Sequence, residues 1–187
     1  MGDHGENFAG LVKSILSNPQ NADAYKAWLK QLTPAELDDV MAIPGAEQDT
    51  LFAFRKNSHT FSARVLSDGT LRFAAIAAAF FQSEMPDVLM IEEIEDGIHP
   101  TRLRLLLDLL KSQSIRTGTQ VIVTTHSPLV LAWLSGEDYK STFLFKKDDE
   151  TGASTITPLS SIPRFAELAH KYSAAELFAE GWLEGSL

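Results

Sequence analysis

The feature of this sequence that most constrains its fold is a pair of short apolar segments on either side of an amphipathic helix. Val88–Ile91 is an uninterrupted apolar run, typical of a strand in a parallel sheet that is covered on both faces. Gln120–Thr124 is the second strand of this kind. The helix between them begins at Pro100 and places its leucines on one face: Leu103, Leu106, Leu107 and Leu110. This order predicts a βαβ unit, with parallel strands joined by a right-handed crossover.

Both strands end in polar residues. In open parallel sheets, ligands gather beyond the carboxyl ends of the strands. An apolar strand that ends in two carboxylates, here Glu92 and Glu93, is typical of a Walker B strand. The first acid holds Mg²⁺ through water, and the second orients or deprotonates the attacking water. A solvated acidic loop is the alternative explanation. After the second strand, a neutral His126 can hydrogen-bond a γ-phosphate oxygen or the attacking water, or it serves only the structure.

A third candidate segment stands at the start of an apolar helix predicted over Leu71–Gln82. Ser67, Asp68 and Gly69 precede this helix, and a helix N-terminus presents free N–H groups and partial positive charge to anions. Gly69 allows the backbone to approach a phosphate closely, and Ser67 adds a hydroxyl donor. The alternative is an ordinary helix cap.

The first third of the chain has the pattern of helices followed by a hairpin. Apolar residues at helical spacing predict a helix over residues 8–16 and a second one that Asn21 caps. Thr33–Glu36 has the form of a capping box and predicts a third short helix to about Met41. Leu51–Lys56 and Thr60–Val65 are expected to pair as a hairpin.

The last third predicts a hairpin and closing helices. Ser127 and Pro128 begin a helix after the second apolar strand. Ser141–Lys146 and Ser154–Pro158 are expected to form an antiparallel hairpin. Two helices then close the chain, one over Pro163–Tyr172 and one that begins at the Ser173-to-Glu176 capping box.

Composition excludes several classes of protein. The chain has 187 residues, 44% of them apolar, which suits one soluble domain with a real core. It has no cysteine, which excludes a disulfide scaffold, a thiol nucleophile and cysteine-ligated metal sites, and fits a cytoplasmic protein. The longest apolar run, Phe73–Phe81, is too short for a membrane span, and the N-terminus lacks the pattern of a signal peptide. We therefore expect no membrane partner.

The charge balance bears on DNA as a partner. A net charge of −9 argues against a basic surface over the whole chain. Four basic residues nevertheless cluster on the helix that begins at Pro100: Arg102, Arg104, Lys111 and Arg116. They form either a DNA-facing patch or the solvated face of an amphipathic helix.

Taken in order, these motifs resemble a known family. Leu66–Thr70, the apolar helix, Val88–Glu93, Asp96–Pro100 and Val121–Pro128 occur as in the ABC-type ATPase heads of the RecF, RecN and SMC class. The chain is most similar to bacterial AAA-type ATPases related to the OLD family heads. The resemblance implies an α/β, partial P-loop NTPase fold: a parallel sheet core, a helical N-terminal region, and a C-terminal β-hairpin with helices.

The resemblance also implies roles for the candidate residues. The segment Ser67, Asp68, Gly69 and Thr70 corresponds to the signature loop, which in the family contacts the γ-phosphate of a nucleotide held by the opposite subunit. Glu92 corresponds to the magnesium-side Walker B acid, Glu93 to the catalytic glutamate and His126 to the switch histidine. Glu95–His99 corresponds to the D-loop at the dimer interface. Two positions depart from the family: Asp68 replaces a glycine, and Ile94 stands where proline is frequent.

One necessary motif is missing from this sequence. A Walker A loop, G-x-x-x-x-G-K-S/T, cradles the phosphates of the nucleotide, yet none of the 11 glycines here is followed by lysine. The resemblance therefore implies the C-terminal part of a head, with residues 1–65 as its helical and hairpin region and residues 66–187 carrying the signature, Walker B and switch histidine. ATP and Mg²⁺ would act in the complete head, with a Walker A lobe or a second copy as partner. We expect no measurable ATPase activity from this chain alone.

The missing lobe has a structural consequence. In the related fold, its strand lies beside the one that ends at His126, so either Gln120–Thr124 keeps an open edge or Ser141–Lys146 closes it. Two other functions compete with the ATPase hypothesis. One is a non-catalytic dimerisation or regulatory module derived from such a head. The other is a metal-dependent nuclease that uses Glu92, Glu93, Glu95 and Asp96. Relatives act in DNA maintenance and phage defence, which is the process that the resemblance suggests.

Overall fold

The computed structural model describes residues 7–32, 37–45, 49–148 and 151–185. The chain divides into two compact units, Met1–Thr124 and Thr125–Leu187, with the boundary just after the second strand of the predicted βαβ unit. The capping box predicted at Thr33–Glu36 lies outside the described residues. The division of the head after residue 65 concerns the roles of the two parts and stays a prediction.

Two helices begin the first unit, α1 (Phe8–Ser17) and α2 (Pro19–Leu32). The predicted cap at Asn21 is wrong, because α2 begins earlier, at Pro19. Asn18 takes the capping role, since its side-chain oxygen accepts two backbone N–H groups of the first turn at 3.1 and 3.2 Å. The Asn21 amide instead donates to the carbonyl of Phe81 at 2.9 Å.

Three antiparallel strands follow, β1 (Asp39–Pro44), β2 (Thr50–Lys56) and β3 (His59–Ser62). The predicted helix to Met41 is wrong, because this segment pairs along its length with β2, from Asp39 opposite Arg55 to Pro44 opposite Thr50. That pairing is made with residues farther along the chain, so local helix signals do not decide the structure of this segment.

The predicted hairpin is confirmed over most of its length. β2 and β3 pair from Ala53 opposite Ser62 to Lys56 opposite His59. The end of the predicted second strand differs, because Ala63–Val65 forms a 3-10 helix capped by the Ser62 side chain. The chain thereby turns out of the sheet just before the candidate signature segment.

The helix α3 (Asp68–Ala78) starts earlier and ends earlier than predicted. Side chains from two other helices hold the carbonyl groups at its end and in the turn that follows. The Tyr25 hydroxyl donates to the carbonyl of Ala74 at 3.0 Å, and Arg116 donates to that of Phe80 at 2.7 Å. Because Tyr25 is fully buried, burial raises the pKa of its hydroxyl, which therefore remains a donor.

The predicted βαβ unit is confirmed in its elements and in the direction of its strands. It consists of β4 (Val88–Ile91), α4 (Pro100–Thr117) and β5 (Gln120–Val123). The strands are parallel, with Val88 beside Gln120 and Ile91 beside Val123. The helix ends at Gly118, whose φ of +74° is the left-handed conformation that glycine adopts readily.

The expectation that β4 is covered on both faces is wrong for this chain. The exposed fractions are 44% for Val88, 73% for Met90 and 42% for Ile122. Among the described residues, β4 and β5 form a sheet of two strands. The apolar sequence therefore fits a larger sheet, while the structure leaves part of this surface exposed.

The second unit contains the predicted hairpin, confirmed as β6 (Phe143–Lys147) paired antiparallel with β7 (Ser154–Pro158). It begins with α5 (Pro128–Ala132), which starts at the predicted proline. In the described part of the chain β6 pairs with β7, so of the two alternatives for Gln120–Thr124, closure of its edge by Ser141–Lys146 is not the one found. The unit has its own core, which includes Leu131, Leu159, Phe165, Leu177 and Leu183.

The helix predicted over Pro163–Tyr172 is much shorter, since α6 covers only Phe165–Leu168. It begins after Arg164, whose φ of +64° is left-handed. It ends where the Lys171 N–H donates to the carbonyl of Leu168 at 2.8 Å, which closes a tight turn.

The closing helices are α7 (Ala174–Ala179) and α8 (Trp182–Gly185). The predicted capping box is confirmed: the Ser173 hydroxyl accepts the backbone N–H of Glu176, and the Glu176 carboxylate accepts that of Ser173 at 2.7 Å. These bonds lower the pKa of the Glu176 carboxyl. Within the described ranges, each helix is too short or too polar to span a bilayer.

Candidate functional site

The candidate signature segment begins α3 as predicted. Ser67 is the N-cap, and its hydroxyl oxygen accepts the Thr70 N–H at 3.3 Å and lies 2.9 Å from the Thr70 hydroxyl. Ser67 and Asp68 are exposed, whereas Gly69 and Thr70 are buried. Arg102 of α4 donates to the Thr70 hydroxyl at 3.2 Å. The exposed half of the segment can therefore meet a ligand, while the buried half packs inside the chain.

Gly69 is required by a close approach within the chain. A Cβ at this position would overlap the backbone carbonyl oxygen of Gly97, in the loop that follows β4. Gly97 itself has a φ of +67°, which favours glycine. The two glycines thus let the signature segment touch the Glu95–His99 segment of the same chain. The predicted approach of Gly69 to a phosphate stays a prediction.

The paired glutamates stand at the end of β4, where Thr124, directly after β5, holds the backbone of Glu93 and Ile94. The Thr124 hydroxyl accepts the Glu93 N–H at 3.0 Å, and the Thr124 carbonyl accepts the Ile94 N–H at 3.0 Å. Both Glu92 and Glu93 are exposed. Their carboxylates are therefore presented to solvent from a backbone that is fixed on both sides.

Two features of Ile94 explain why isoleucine can stand where proline is frequent in the family. Its side chain is fully buried, and its N–H makes the bond to Thr124. Proline has no N–H and could not donate this bond. The isoleucine therefore anchors the loop that a proline would otherwise stiffen.

Glu93 has an uncommon backbone conformation. Its φ is +46°, in the left-handed region that costs a non-glycine residue on the order of 1–3 kcal/mol unless neighbouring groups hold it. Residues of this kind cluster at functional sites. The conformation agrees with the role predicted for Glu93, although a tight turn alone also demands it.

Arg72 is the residue of this region that the sequence reasoning did not single out. From α3, its Nη2 donates to the backbone carbonyls of Glu92 and Glu93, the latter at 3.0 Å, and its Nη1 lies 3.5 Å from the Asp96 carboxylate. A signal was present in the sequence, because Arg72 is the one charged residue of the apolar segment Leu71–Gln82.

His126 belongs to the second unit and lies three residues after the end of β5. It is exposed. Next to it, the Thr125 hydroxyl accepts the N–H of Ser127, which holds the N-cap position of α5. The sequence neighbourhood is as predicted, and the role of His126 stays a prediction.

The acidic residues after β4 bear on metal binding. Within the described residues, no group of three or more histidine, aspartate or glutamate side chains is placed to hold a metal ion. Mg²⁺ is usually held by one or two carboxylates together with substrate phosphates and water. The oxygen donors of Glu92 and Glu93 have the chemistry that suits this ion.

Two members of the basic cluster on α4 have partners inside the chain. Arg102 donates to Thr70, and Arg116 donates to Gln113 at 2.7 Å while lying 5.2 Å from the centre of the Phe81 ring. Arg104 and Lys111 lie at exposed positions. Arg102 and Arg116 therefore have a structural explanation, and a DNA-facing role for the cluster stays a prediction.

Comparison with known proteins gives a family and a fold. Residues 7–132 match the family model described as "AAA domain, putative AbiEii toxin, Type IV TA system". No curated protein matches the chain. Among solved structures, the chain is similar to an SMC ATPase described for its ATP-driven dimerization and DNA-stimulated activation, with 15% identity and a TM-score of 0.51 over 89% of this chain and 98% of that one.

A second similar structure is the SMC head domain from Thermotoga maritima, with 18% identity and a TM-score of 0.46 over 80% of this chain. The alignment spans about half, 51%, of that domain. The family match and the first structure confirm the resemblance to ABC/SMC-like ATPase heads and the predicted α/β fold of a partial P-loop NTPase, while the likeness to the OLD family stays a prediction.

Proposed function

Since this chain belongs to the AAA domain family whose model its residues 7–132 match, we propose that it is the C-terminal part of an ABC/RecF-type ATPase head. It binds and hydrolyses ATP when a Walker A lobe completes it. The observation that carries the proposal is the meeting of the signature helix with the glutamate loop. Arg72 of α3 contacts the backbone of Glu92 and Glu93, and both carboxylates face solvent.

The chemistry follows from the exposed groups. Glu93 orients the attacking water and accepts its proton, a role that a carboxylate in reach of the water performs. Glu92 would hold Mg²⁺ through water, and the ion would supply positive charge that stabilises the phosphates. The Ser67 hydroxyl and the amides at the start of α3 bind the γ-phosphate of a nucleotide on an opposite head. We assign Asp68, Gly69 and Thr70 to the same segment.

His126 completes the proposed set of catalytic groups. Its exposed imidazole comes after β5, as the carboxylates of Glu92 and Glu93 come after β4. The imidazole hydrogen-bonds the γ-phosphate or the attacking water. Glu95–His99 faces the opposite head, so that a homodimer forms around the nucleotides. The SMC ATPase of similar fold is described as dimerising in an ATP-driven way, which supports this part of the proposal.

Completion by a Walker A lobe has support in the β4–β5 pair. Gln120 and Thr124 donate their N–H groups to the carbonyls of Asp87 and Ile91, at the two ends of β4. Because amides alternate along a strand, those of Val121 and Val123 point to the opposite edge. The apolar side chains of Val88 and Met90 are exposed. A further strand and its covering lobe would bury both features and bring the phosphate-binding lysine that this sequence lacks.

The last part of the proposal concerns the biological process. We assign the head to DNA maintenance or phage defence, with duplex DNA as a candidate partner of the complete protein. Support comes from the similar SMC ATPase, whose activation is described as DNA-stimulated. A partner of this kind predicts that duplex DNA raises the turnover of the completed head.

The test is ATP turnover by the chain mixed with a Walker A lobe from a head of the same family. The chain alone is expected to show no measurable turnover, because most charge-assisted contacts to the phosphates are missing. The mixture is expected to hydrolyse ATP, and Glu93→Gln to lower its kcat on the order of 10²- to 10⁴-fold. Glu84→Gln, at another exposed glutamate, is the matched control.

Two results would contradict the proposal. One is robust turnover by the chain alone that Glu93→Gln abolishes. The other is a mixture that forms dimers with ATP bound but never turns over, which would favour the non-catalytic dimerisation module. Cleavage of plasmid DNA by the chain in the presence of a divalent metal would favour the nuclease instead.

A further inference from the structure

We infer that Arg72 is a positioning residue that ties the signature helix α3 to the backbone of the catalytic loop, so that Glu93 is aimed correctly only when α3 is in place. The inference rests on the proposed function, because it concerns the work of Glu93. It assigns a task to a side chain that touches neither nucleotide phosphate nor water in the proposed mechanism.

Arg72 contacts the carbonyl oxygens of the two peptide groups that flank the Cα of Glu93. Its Nη2 donates to the carbonyl of Glu92 and to that of Glu93, the second at 3.0 Å. Two successive carbonyls rarely converge on one donor, since an extended chain points them in opposite directions. They converge here because Glu93 is left-handed, with φ at +46°. Arg72 thus binds the backbone conformation that sets the direction of the Glu93 side chain.

The guanidinium suits this task better than another cation would. It is a planar, rigid fork of donors, so it fixes geometry, whereas the ammonium of lysine is a point charge on a flexible stem. The third contact, Nη1 to the Asp96 carboxylate at 3.5 Å, extends the fork toward the loop that carries Gly97. Hydrogen bonds from a charged donor are about twice as strong as neutral ones.

The site also retains an unsatisfied polar atom. The Nε of Arg72 is buried and has no hydrogen-bond partner among the residues that the structure describes. A buried donor without a partner costs stability, on the general scale for such groups. The hydrogen bonds of Arg72 are therefore made by its two Nη atoms, all of them to the loop after β4.

Arg72 connects α3 with the loop after β4, and these two segments have different roles in the proposed dimer. The Ser67 end of α3 serves the nucleotide of the opposite head, while Glu93 serves the nucleotide of its own head. The contact of Gly69 with Gly97 links the same two segments a second time. A shift of α3 would therefore move Arg72 and change the orientation of the Glu93 backbone and side chain.

The first experiment needs no ATPase activity and uses the chain as it is. Carbon-13 carbonyl and amide resonances of residues 92–96 are compared among wild type, Arg72→Met and Arg72→Lys, with Arg104→Met at an exposed arginine of α4 as the control. We expect Arg72→Met to move the carbonyl resonances of Glu92 and Glu93 and to speed hydrogen exchange of the Glu93 amide. Arg72→Lys should do so less, and Arg104→Met not at all.

The second experiment measures kcat and KM for the same variants in the head completed by a Walker A lobe. A misaimed base loses rate rather than affinity, so kcat of Arg72→Met should fall on the order of 10²-fold with KM changed less than about twofold. Arg72→Lys should recover part of kcat, since it keeps one charged donor. A purely structural role would instead lower the fraction of active enzyme and leave kcat per folded head unchanged.

The outcomes of the two experiments separate this inference from the proposed function. If the completed head turns over and depends on Glu93, an Arg72→Met variant with wild-type kcat overturns the inference alone. If no completed head turns over, the proposed function fails, and the resonances still decide whether Arg72 holds the loop. Should Arg72→Met fail to fold, the Arg72→Lys resonances and kcat decide, with wild-type values for both contradicting the inference.

Discussion

Two sheets of the first unit differ in how completely the chain covers them. In the sheet of β1 to β3, the exposed fractions are 1% for Val40, 5% for Phe52 and 0% for Ala53, and α1 contacts both β1 and β2. In the β4–β5 pair, Met90 is 73% exposed and Val88 44% exposed. The first sheet buries most of the apolar residues of β1 and β2 within this chain, although Phe61 of β3 is 40% exposed, and the second sheet leaves several of its apolar residues in solvent.

This difference teaches where the chain is self-sufficient and where it is not. An antiparallel sheet with one face on a helical layer is a complete arrangement, whereas parallel strands are stable when both faces are covered. The carboxyl ends of the incomplete pair carry Glu93 and lead to His126. The pair that leads to the proposed catalytic residues is therefore also the one whose face is left exposed, as we would expect if the site is shared with another part of the head.

The largest expected effect compares one core side chain from each sheet. Phe52→Ala removes a buried ring that packs 5.0 Å from the ring of Phe8, so we expect the free energy of unfolding to fall by about 3–5 kcal/mol. Met90→Thr changes an exposed side chain and should alter it by less than about 0.5 kcal/mol. Urea denaturation of both variants measures the contrast. Equal losses would show that Met90 is covered in solution and would contradict the difference between the two sheets.

The next effect concerns the carboxyl end of β4, which is tightly built although the face of the pair is open. Gly69→Ala forces a methyl group against the Gly97 carbonyl and should lower the free energy of unfolding by about 1–3 kcal/mol. Gly10→Ala in α1 is the matched control, because a Cβ there meets nothing within 4 Å and removes the helix penalty of glycine. A Gly69→Ala variant as stable as wild type would mean that the two loops are not in contact.

A third prediction tests the open surface by self-association. Exposed apolar strands with a free edge favour pairing with another chain, so the chain alone should associate as its concentration rises. Met90→Lys should weaken this association about tenfold by placing a charge on the face. Sedimentation velocity at several concentrations measures it, with Val65→Lys, at another exposed apolar residue, as the control. Strictly monomeric wild type would argue that the edge is already closed.

The smallest effect lies in the complete sheet and depends on pH. Partial burial alone would raise the pKa of Asp39, but Lys26 at 2.9 Å and Arg55 at 3.1 Å outweigh it and hold that pKa below the ordinary value. The resulting stability is fully present above the ordinary aspartate pKa, near 4, and is lost as the pH falls through the lowered value. Asp39→Asn should cost up to about 1 kcal/mol at pH 7 and nothing at pH 2. A constant difference across this range would contradict the assignment.

The sequence predicts best what neighbouring residues decide. The parallel strands β4 and β5, the helix that begins at Pro100 and the Ser173 capping box all follow from local patterns, and the structure confirms them. β1 is missed because its partner strand lies farther along the chain. The exposure of Met90 is missed because an apolar strand sequence indicates a sheet covered on both faces, whereas this chain covers its β4–β5 pair only in part.

The candidate site divides in the same way. Ser67 and the pair Glu92 and Glu93 can be identified as candidates from residue type and position in the sequence. Their catalytic roles remain predictions. The contacts that hold them, from Arg72 and Thr124, join segments that are 20 or more residues apart. Only the folded chain brings such pairs together, although a lone charge in an apolar helix is a signal that such a contact exists.

The most direct test of the incomplete sheet is hydrogen exchange of the β5 amides before and after a Walker A lobe is added. The amides of Val121 and Val123 point away from β4, so they should exchange rapidly in the chain alone and become protected in the complex. The amides of β1 and β2 serve as the internal control and should not change. Unchanged exchange at Val121 and Val123, in a complex that demonstrably forms, would contradict the account that this chain is one part of a shared ATPase head.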